Sequence, residues 1–114
     1  MQLSIYIIDA FTCERFKGNQ AAVVPLQQWL PDATLQAIAA ENNLSETAYV
    51  VLNAQSNVYH IRWFSPLTEI DFCGHATLAT AYVLMQADPT RQRVSFWASA
   101  VGHLHAERVA HDRV

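Results

Sequence analysis

A chain of 114 residues, 52% hydrophobic and 15% charged, has the length of one domain and enough apolar material for a core, which excludes a disordered chain. Its net charge of -3 comes without a basic run, so nucleic acid and anionic membrane are poor partners. The N-terminus lacks a signal peptide's basic flank and long apolar region, and the apolar run at 76–85 is shorter than the ~20 residues that span a bilayer. Two cysteines, Cys13 and Cys73, do not make a disulfide scaffold, so reduced thiols in a cytoplasm are expected.

In chain order, Ser4–Asp9 reads as a strand, rich in β-branched and aromatic residues. Residues 10–19 read as a loop anchored by Phe11 and Phe16, with Lys17-Gly18-Asn19 as a turn. Gln20–Pro25 returns as a second strand that Pro25 is expected to end. Leu30–Asn43 reads as an amphipathic helix, with Asp32 as N-cap, Leu35, Ile38, Ala39 and Asn42 along one face, and Asn42-Asn43 as the stop. Leu44–Leu52 and Val58–Phe64 form an antiparallel hairpin across a polar turn at 53–57. In the latter strand Tyr59, Ile61 and Trp63 share one face, and His60 and Arg62 the other. Ser65–Thr68 is a turn.

The next stretch, Glu69–Met85, is the centre of the chain. Ile70 and Phe72 alternate with Glu69 and Asp71 as the end of a strand, then Ala76–Met85 carries hardly a polar side chain and reads as a helix without a wet face. Cys73, Gly74 and His75 stand at its start, where backbone N–H groups lack helical partners. Asp88-Pro89-Thr90 ends the helix. Arg93–Val101 and His103–Val109 are a final strand pair joined at Gly102. Several strands, one amphipathic helix and one apolar helix make a single α+β domain over 1–114, its sheet curved around the buried helix.

Glu46 follows a helix, opens a strand, and shares a strand face with Ala48 and Val50. In a pocket, burial would raise its pKa toward the range useful for proton transfer; pattern alone favours a solvated glutamate. The field of a helix N-terminus holds carboxylate or enolate oxygens and lowers a thiol's pKa, which would make Cys73 an acid/base or nucleophile and Gly74 a place of close ligand approach. Pattern alone favours a structural cysteine and a capping histidine. Asp71 is either a helix cap or a second carboxylate beside Glu46. Gly18-Asn19 is a turn or a loop over a ligand. No metal site is expected: CxxC and HxxxH are absent, and His103 and His105 alternate as on an exposed strand face. Phosphate-loop, dinucleotide-fold and nucleophile-elbow motifs are absent as well.

Four segments carry a resemblance. They are Ile8-Asp-Ala-Phe11 with Lys17-Gly-Asn-Gln-Ala-Ala-Val-Val24, Asn43-Leu-Ser-Glu-Thr-Ala-Tyr-Val50, Arg62-Trp-Phe-Ser-Pro66, and Glu69-Ile-Asp-Phe-Cys-Gly-His-Ala-Thr-Leu-Ala79. In these the chain resembles the phenazine biosynthesis PhzF-like family, related to diaminopimelate epimerases. The resemblance implies one half of an epimerase-like fold: a mostly antiparallel, barrel-like sheet wrapped around a central apolar helix, equivalent to the N-terminal half of proteins about twice as long. It implies a cofactor-free isomerase, with Glu46 as general acid/base on a small carboxylic acid and His75 as the site histidine. In the phenazine enzyme the reaction is isomerisation of a dihydro-hydroxyanthranilate. Cys73 stands where the related epimerases place a catalytic cysteine, which keeps an epimerase- or racemase-like reaction open. Gly74, Ala76, Thr77, Asn19 and Asp71 are the substrate-binding residues so implied. Asn19-Gln20 replaces the family's commoner Asn-Pro. The family's second half carries an Asp-x-x-Thr-Gly-Ser-type segment that nothing after Val109 matches. A homodimer or a complementary second-half chain is therefore expected to complete the site, the alternative being a truncated, non-catalytic or self-associating domain that retains the fold and binds a small acid.

Overall fold

Two stripes of apolar residues on the same strands decide the architecture. The computed structural model describes residues 3–9 and 20–108. They form β1 (Tyr6–Asp9), β2 (Gln20–Leu26), α1 (Asp32–Asn42), β3 (Glu46–Asn53), β4 (Val58–Phe64), β5 (Glu69–Ile70), α2 (Gly74–Ala87), β6 (Arg93–Ala98) and β7 (Gly102–Glu107). The sheet order is β1-β2-β3-β4-β6-β7, with β5 pairing with β4 beside this path. Successive side chains point to opposite faces. Ala21, Val23, Ala48, Val50, Ile61 and Trp63 therefore pack with α2, while Val24, Tyr49 and Phe64 pack with Leu35 and Ala39 of α1. One helix covers each face.

The sheet is mixed. β1/β2, β3/β4, β4/β5 and β6/β7 are antiparallel, but β2/β3 and β4/β6 run parallel because a helix returns the chain between each of those pairs. Among the described residues it is open, not barrel-like: β1 and β7 are its two ends.

Several element ends differ from expectation. The first strand starts at Tyr6 rather than Ser4. Pro25 does not end β2, which runs on to Leu26; β1 pairs no further than Val23, so the missing N–H costs no bond to β1 there. Pro31, not Asp32, stands at the N-cap of α1, and Asp32 sits in the first turn, where its charge suits the helix dipole. Asn43 ends α1 in the left-handed region at φ 54°, its N–H bonded to the Ala39 carbonyl. The apolar helix takes in Gly74 and His75 and extends to Ala87. It also has an open side, since Leu78 is 37% exposed. β6 stops at Ala98, and Gly102, at φ 84°, opens β7. The expected loop anchors Phe11 and Phe16, with the Lys17-Gly18-Asn19 turn, lie outside the described residues.

Arg62 locks the approach to α2. Its guanidinium forms a two-pronged pair with Glu69 at 2.8 Å on each arm and reaches Asp32 at 3.1 Å, lying over the rings of Trp29 and Phe64. α1, β4 and β5 are thus tied just ahead of residues 71–73.

Tyr49 anchors the other face. Its buried hydroxyl donates to the Leu35 carbonyl at 2.7 Å, and burial pushes its pKa up to about 12. Tyr49→Phe is expected to cost about 1 kcal/mol in urea unfolding at neutral pH. Because the folded state holds this proton more tightly than an ordinary tyrosine near 10, the native chain loses stability as pH rises from about 10 toward 12. Unfolding curves across that window should show a flatter loss in Tyr49→Phe.

Candidate active site

The site is built where β3 begins and α2 begins. α1 ends at Asn42, the chain turns through the left-handed Asn43, and Glu46 is the first residue of β3. Asn42 Nδ2 donates to Thr47 Oγ1 at 3.3 Å, which ties the helix end to the strand start. Strand alternation places Glu46 on the face of Ala48 and Val50, both packed with α2. Its side chain is half-buried.

Cys73 is the N-cap of α2, extended at φ -144° and ψ 107°. Its thiol is half-buried beside Glu46. Burial pushes its pKa up, the Ala76 amide pulls it down, the charge and hydrogen bond of Glu46 raise it again, and the His75 amide opposes them. The expected lowering by the helix field is thus reversed: desolvation and a neighbouring carboxylate outweigh two amides. Cys73 is kept a neutral thiol beside a carboxylate.

The other expected site residues divide. His75 and Gly74 lie in the first turn of α2, His75 exposed and Gly74 half-buried. A Cβ on Gly74 would meet only the Phe72 ring, at 3.8 Å, and its φ lies outside the left-handed region. Nothing in the described fold therefore requires glycine there. Ala76 is fully buried, and its amide acts on the Cys73 thiol. The Thr77 hydroxyl is spoken for: it donates to the Cys73 carbonyl at 2.8 Å and accepts from Trp63 Nε1 at 3.0 Å. Asp71 does not cap α2, whose N-terminus has no capping side-chain bond of standard geometry. It is exposed and lines a shallow recess with Glu69, Ala98 and Ser99, whose wall includes neither Glu46 nor Cys73. Asn19 lies outside the described residues.

No group of three metal-ligating side chains occurs among the described residues, and His103 and His105 are exposed on β7. Two larger cavities, of about 420 Å3 beside Leu3 and Pro25 and about 380 Å3 beside His60 and Trp97, do not touch Glu46 or Cys73. No described helix is long and apolar enough to cross a membrane.

Sequence reasoning missed Trp63 as a neighbour of the site. Its only signal was an indole N–H at a core-facing position, which needs a buried acceptor.

A mixed sheet with one helix on each face, and a carboxylate and a thiol brought together at a helix N-terminus, is the arrangement to compare with known proteins. A family model described as phenazine biosynthesis-like protein matches residues 8–114, and the chain belongs to that family. An uncharacterised isomerase of Pseudomonas aeruginosa is 51% identical over 108 residues, covering 95% of this chain and 41% of its own. The crystal structure of a PhzF-family phenazine biosynthesis protein from Enterococcus faecalis superposes with a TM-score of 0.84 at 50% identity, covering 95% of this chain and 41% of that one. A predicted epimerase from Pseudomonas aeruginosa shares the fold at a TM-score of 0.75 with 21% identity, covering 96% of this chain and 40% of that one. The chain thus spans about two fifths of the length of the relatives it matches.

Because Glu46 disfavours the thiolate, its neutralisation should release it. Peptide-resolved alkylation of Cys73 against pH is expected to inflect above an ordinary thiol, and Glu46→Gln to move the inflection down. An inflection unmoved by Glu46→Gln would separate the two groups.

Proposed function

We propose that the chain is the acid/base half of a cofactor-independent isomerase that moves a proton along one face of a small carboxylic acid. What carries this is the placement of Glu46, on the sheet face that packs with α2, beside Cys73 at the start of that helix, where the carboxylate helps keep the thiol protonated. Epimerisation inverts a carbon, so its base and acid must flank that carbon on opposite sides. Two groups side by side leave no room for a carbon between them. The pair therefore serves one face, on which a base removes a proton and its conjugate acid returns it one or more atoms away. For these residues alone that is an isomerisation; an epimerase- or racemase-like reaction would take its opposing group from a second half.

The substrate carboxylate is assigned to the first turn of α2. That turn contains no acidic residue, and its Gly74 amide precedes the first helical bond, Thr77 N–H to Cys73 at 3.1 Å, while the His75 and Ala76 amides serve the Cys73 thiol. Gly74 keeps the approach clear, and His75 is the side chain we assign to orient the acid. Asn19 and Asp71 remain further candidates for substrate contact. The reading needs no resident cofactor and places the thiol in the reducing cytoplasm.

A proton-transfer site works when water is excluded, and Glu46 and Cys73 are each only half-buried. We propose that a second half closes it, from a symmetric second copy or a complementary second-half polypeptide. A second reading is a fold-retaining domain that binds a small acid without turning it over.

Proton exchange separates these readings. With a panel of small carboxylic acids in deuterated water, NMR should show substrate deuteration that Glu46→Gln lowers about 100-fold or more. Wild-type protein that binds an acid but exchanges nothing favours the second reading. Gly74→Ala should melt at or above the wild-type temperature yet bind the acid about tenfold more weakly. The mass in solution reports whether a second copy is present.

A further inference from the structure

Cys73 lies at the junction of two conformations. It is extended, and the next residue is helical. The direction of its thiol depends on how that one peptide is held.

The structure holds it with a relay. The Thr77 N–H donates to the Cys73 carbonyl at 3.1 Å, and the Thr77 hydroxyl donates to the same oxygen at 2.8 Å. The indole N–H of Trp63 donates to that hydroxyl at 3.0 Å. Both side chains are buried, Trp63 at 2% exposure and Thr77 at 8%. One turn later Thr80 makes the same kind of back-bond, to the Ala76 carbonyl at 2.7 Å, so a back-bond by itself is ordinary helix chemistry. What sets Thr77 apart is the indole, which fixes the rotor so that its proton points at Cys73. Trp63 also holds the residue on the other side of Cys73: its ring meets Phe72 edge-on at 5.5 Å.

Trp63 belongs to the frame that carries the carboxylate. It pairs with Ala48 across β3/β4, two residues along the same strand face from Glu46. A single strand pair thus references both partners, Glu46 directly and Cys73 through the indole and Thr77. We infer that Trp63 and Thr77 are positioning residues, which hold the Cys73 peptide so that its thiol stays against the Glu46 carboxylate. Thr77 acts through Cys73 rather than on substrate. The inference rests on the reading of Glu46 and Cys73 as one acid/base unit, and its test needs no substrate.

The readout is the inflection of Cys73 alkylation with pH, followed on the Cys73 peptide of the full chain, in wild type and in Glu46→Gln backgrounds. Thr77→Val removes the hydroxyl at constant shape and leaves the indole donor unpaired. Trp63→Phe removes the N–H and keeps a ring against Phe72. Either is expected to alkylate about threefold or more faster at neutral pH as the thiol leaves the carboxylate, and in either Glu46→Gln should no longer move the inflection. Thr77→Ser, which keeps the hydroxyl, should behave as wild type. Loss of stability alone would leave the coupling to Glu46 unchanged, so a folded Thr77→Val or Trp63→Phe protein with full coupling overturns the inference. If Thr77→Val does not melt cooperatively, Trp63→Phe decides. If Glu46→Gln moves nothing even in the wild type, the acid/base pair itself falls, whereas coupling that survives the relay's removal leaves the pair standing and removes only the positioning role.

Discussion

The close seating of α2 on the sheet is the constraint on which the rest depends. Ala76, Ala79, Ala81, Val83 and Met85 press onto β2, β3, β4 and β6, and small side chains at the first of these positions let the helix backbone approach. Two threonines lie in the same buried stretch. A buried hydroxyl without a partner costs on the order of 1–3 kcal/mol, and both avoid it by bonding a carbonyl four residues back. The helix is thus apolar in effect although not in composition. Where its first turn comes to rest decides which atoms meet Glu46.

Two opposing influences meet at that turn. A helix N-terminus favours negative charge, which on its own makes a capping cysteine a thiolate. Burial disfavours any charge, and Glu46 disfavours a second negative one. Burial and the carboxylate win, and the thiol stays protonated. The two groups therefore do not carry two negative charges side by side.

The face away from α2 serves the site at a distance. Arg62 binds Glu69 and Asp32 and rests on two aromatic rings, so β5 and the residues leading into Cys73 leave the sheet along one path. α1 is pinned through Tyr49 and ends in the left-handed Asn43, which turns the chain so that Glu46 enters β3. Both partners of the pair are therefore delivered by elements whose own packing is complete.

Local chemistry explains what was legible beforehand. Period-two alternation in Val58–Phe64 and the unbroken apolar run after His75 determined the hairpin, the helix and the two faces, because side-chain direction follows from backbone period. Segments 43–50 and 69–79 were enough to single out Glu46 and Cys73 separately, but not to bring them together. Other properties needed partners distant in sequence. Pro25 stays inside a strand because β1 does not extend beside it, the described sheet has β1 and β7 as its two ends, and Thr77 is engaged by Trp63, fourteen residues before it. The sign of the Cys73 shift was of this second kind too. The sequence by itself determined which residues stand at the start of the helix; only the tertiary structure decided their charge and their bonds, because desolvation and hydrogen bonding depend on what the fold brings against them from elsewhere in the chain.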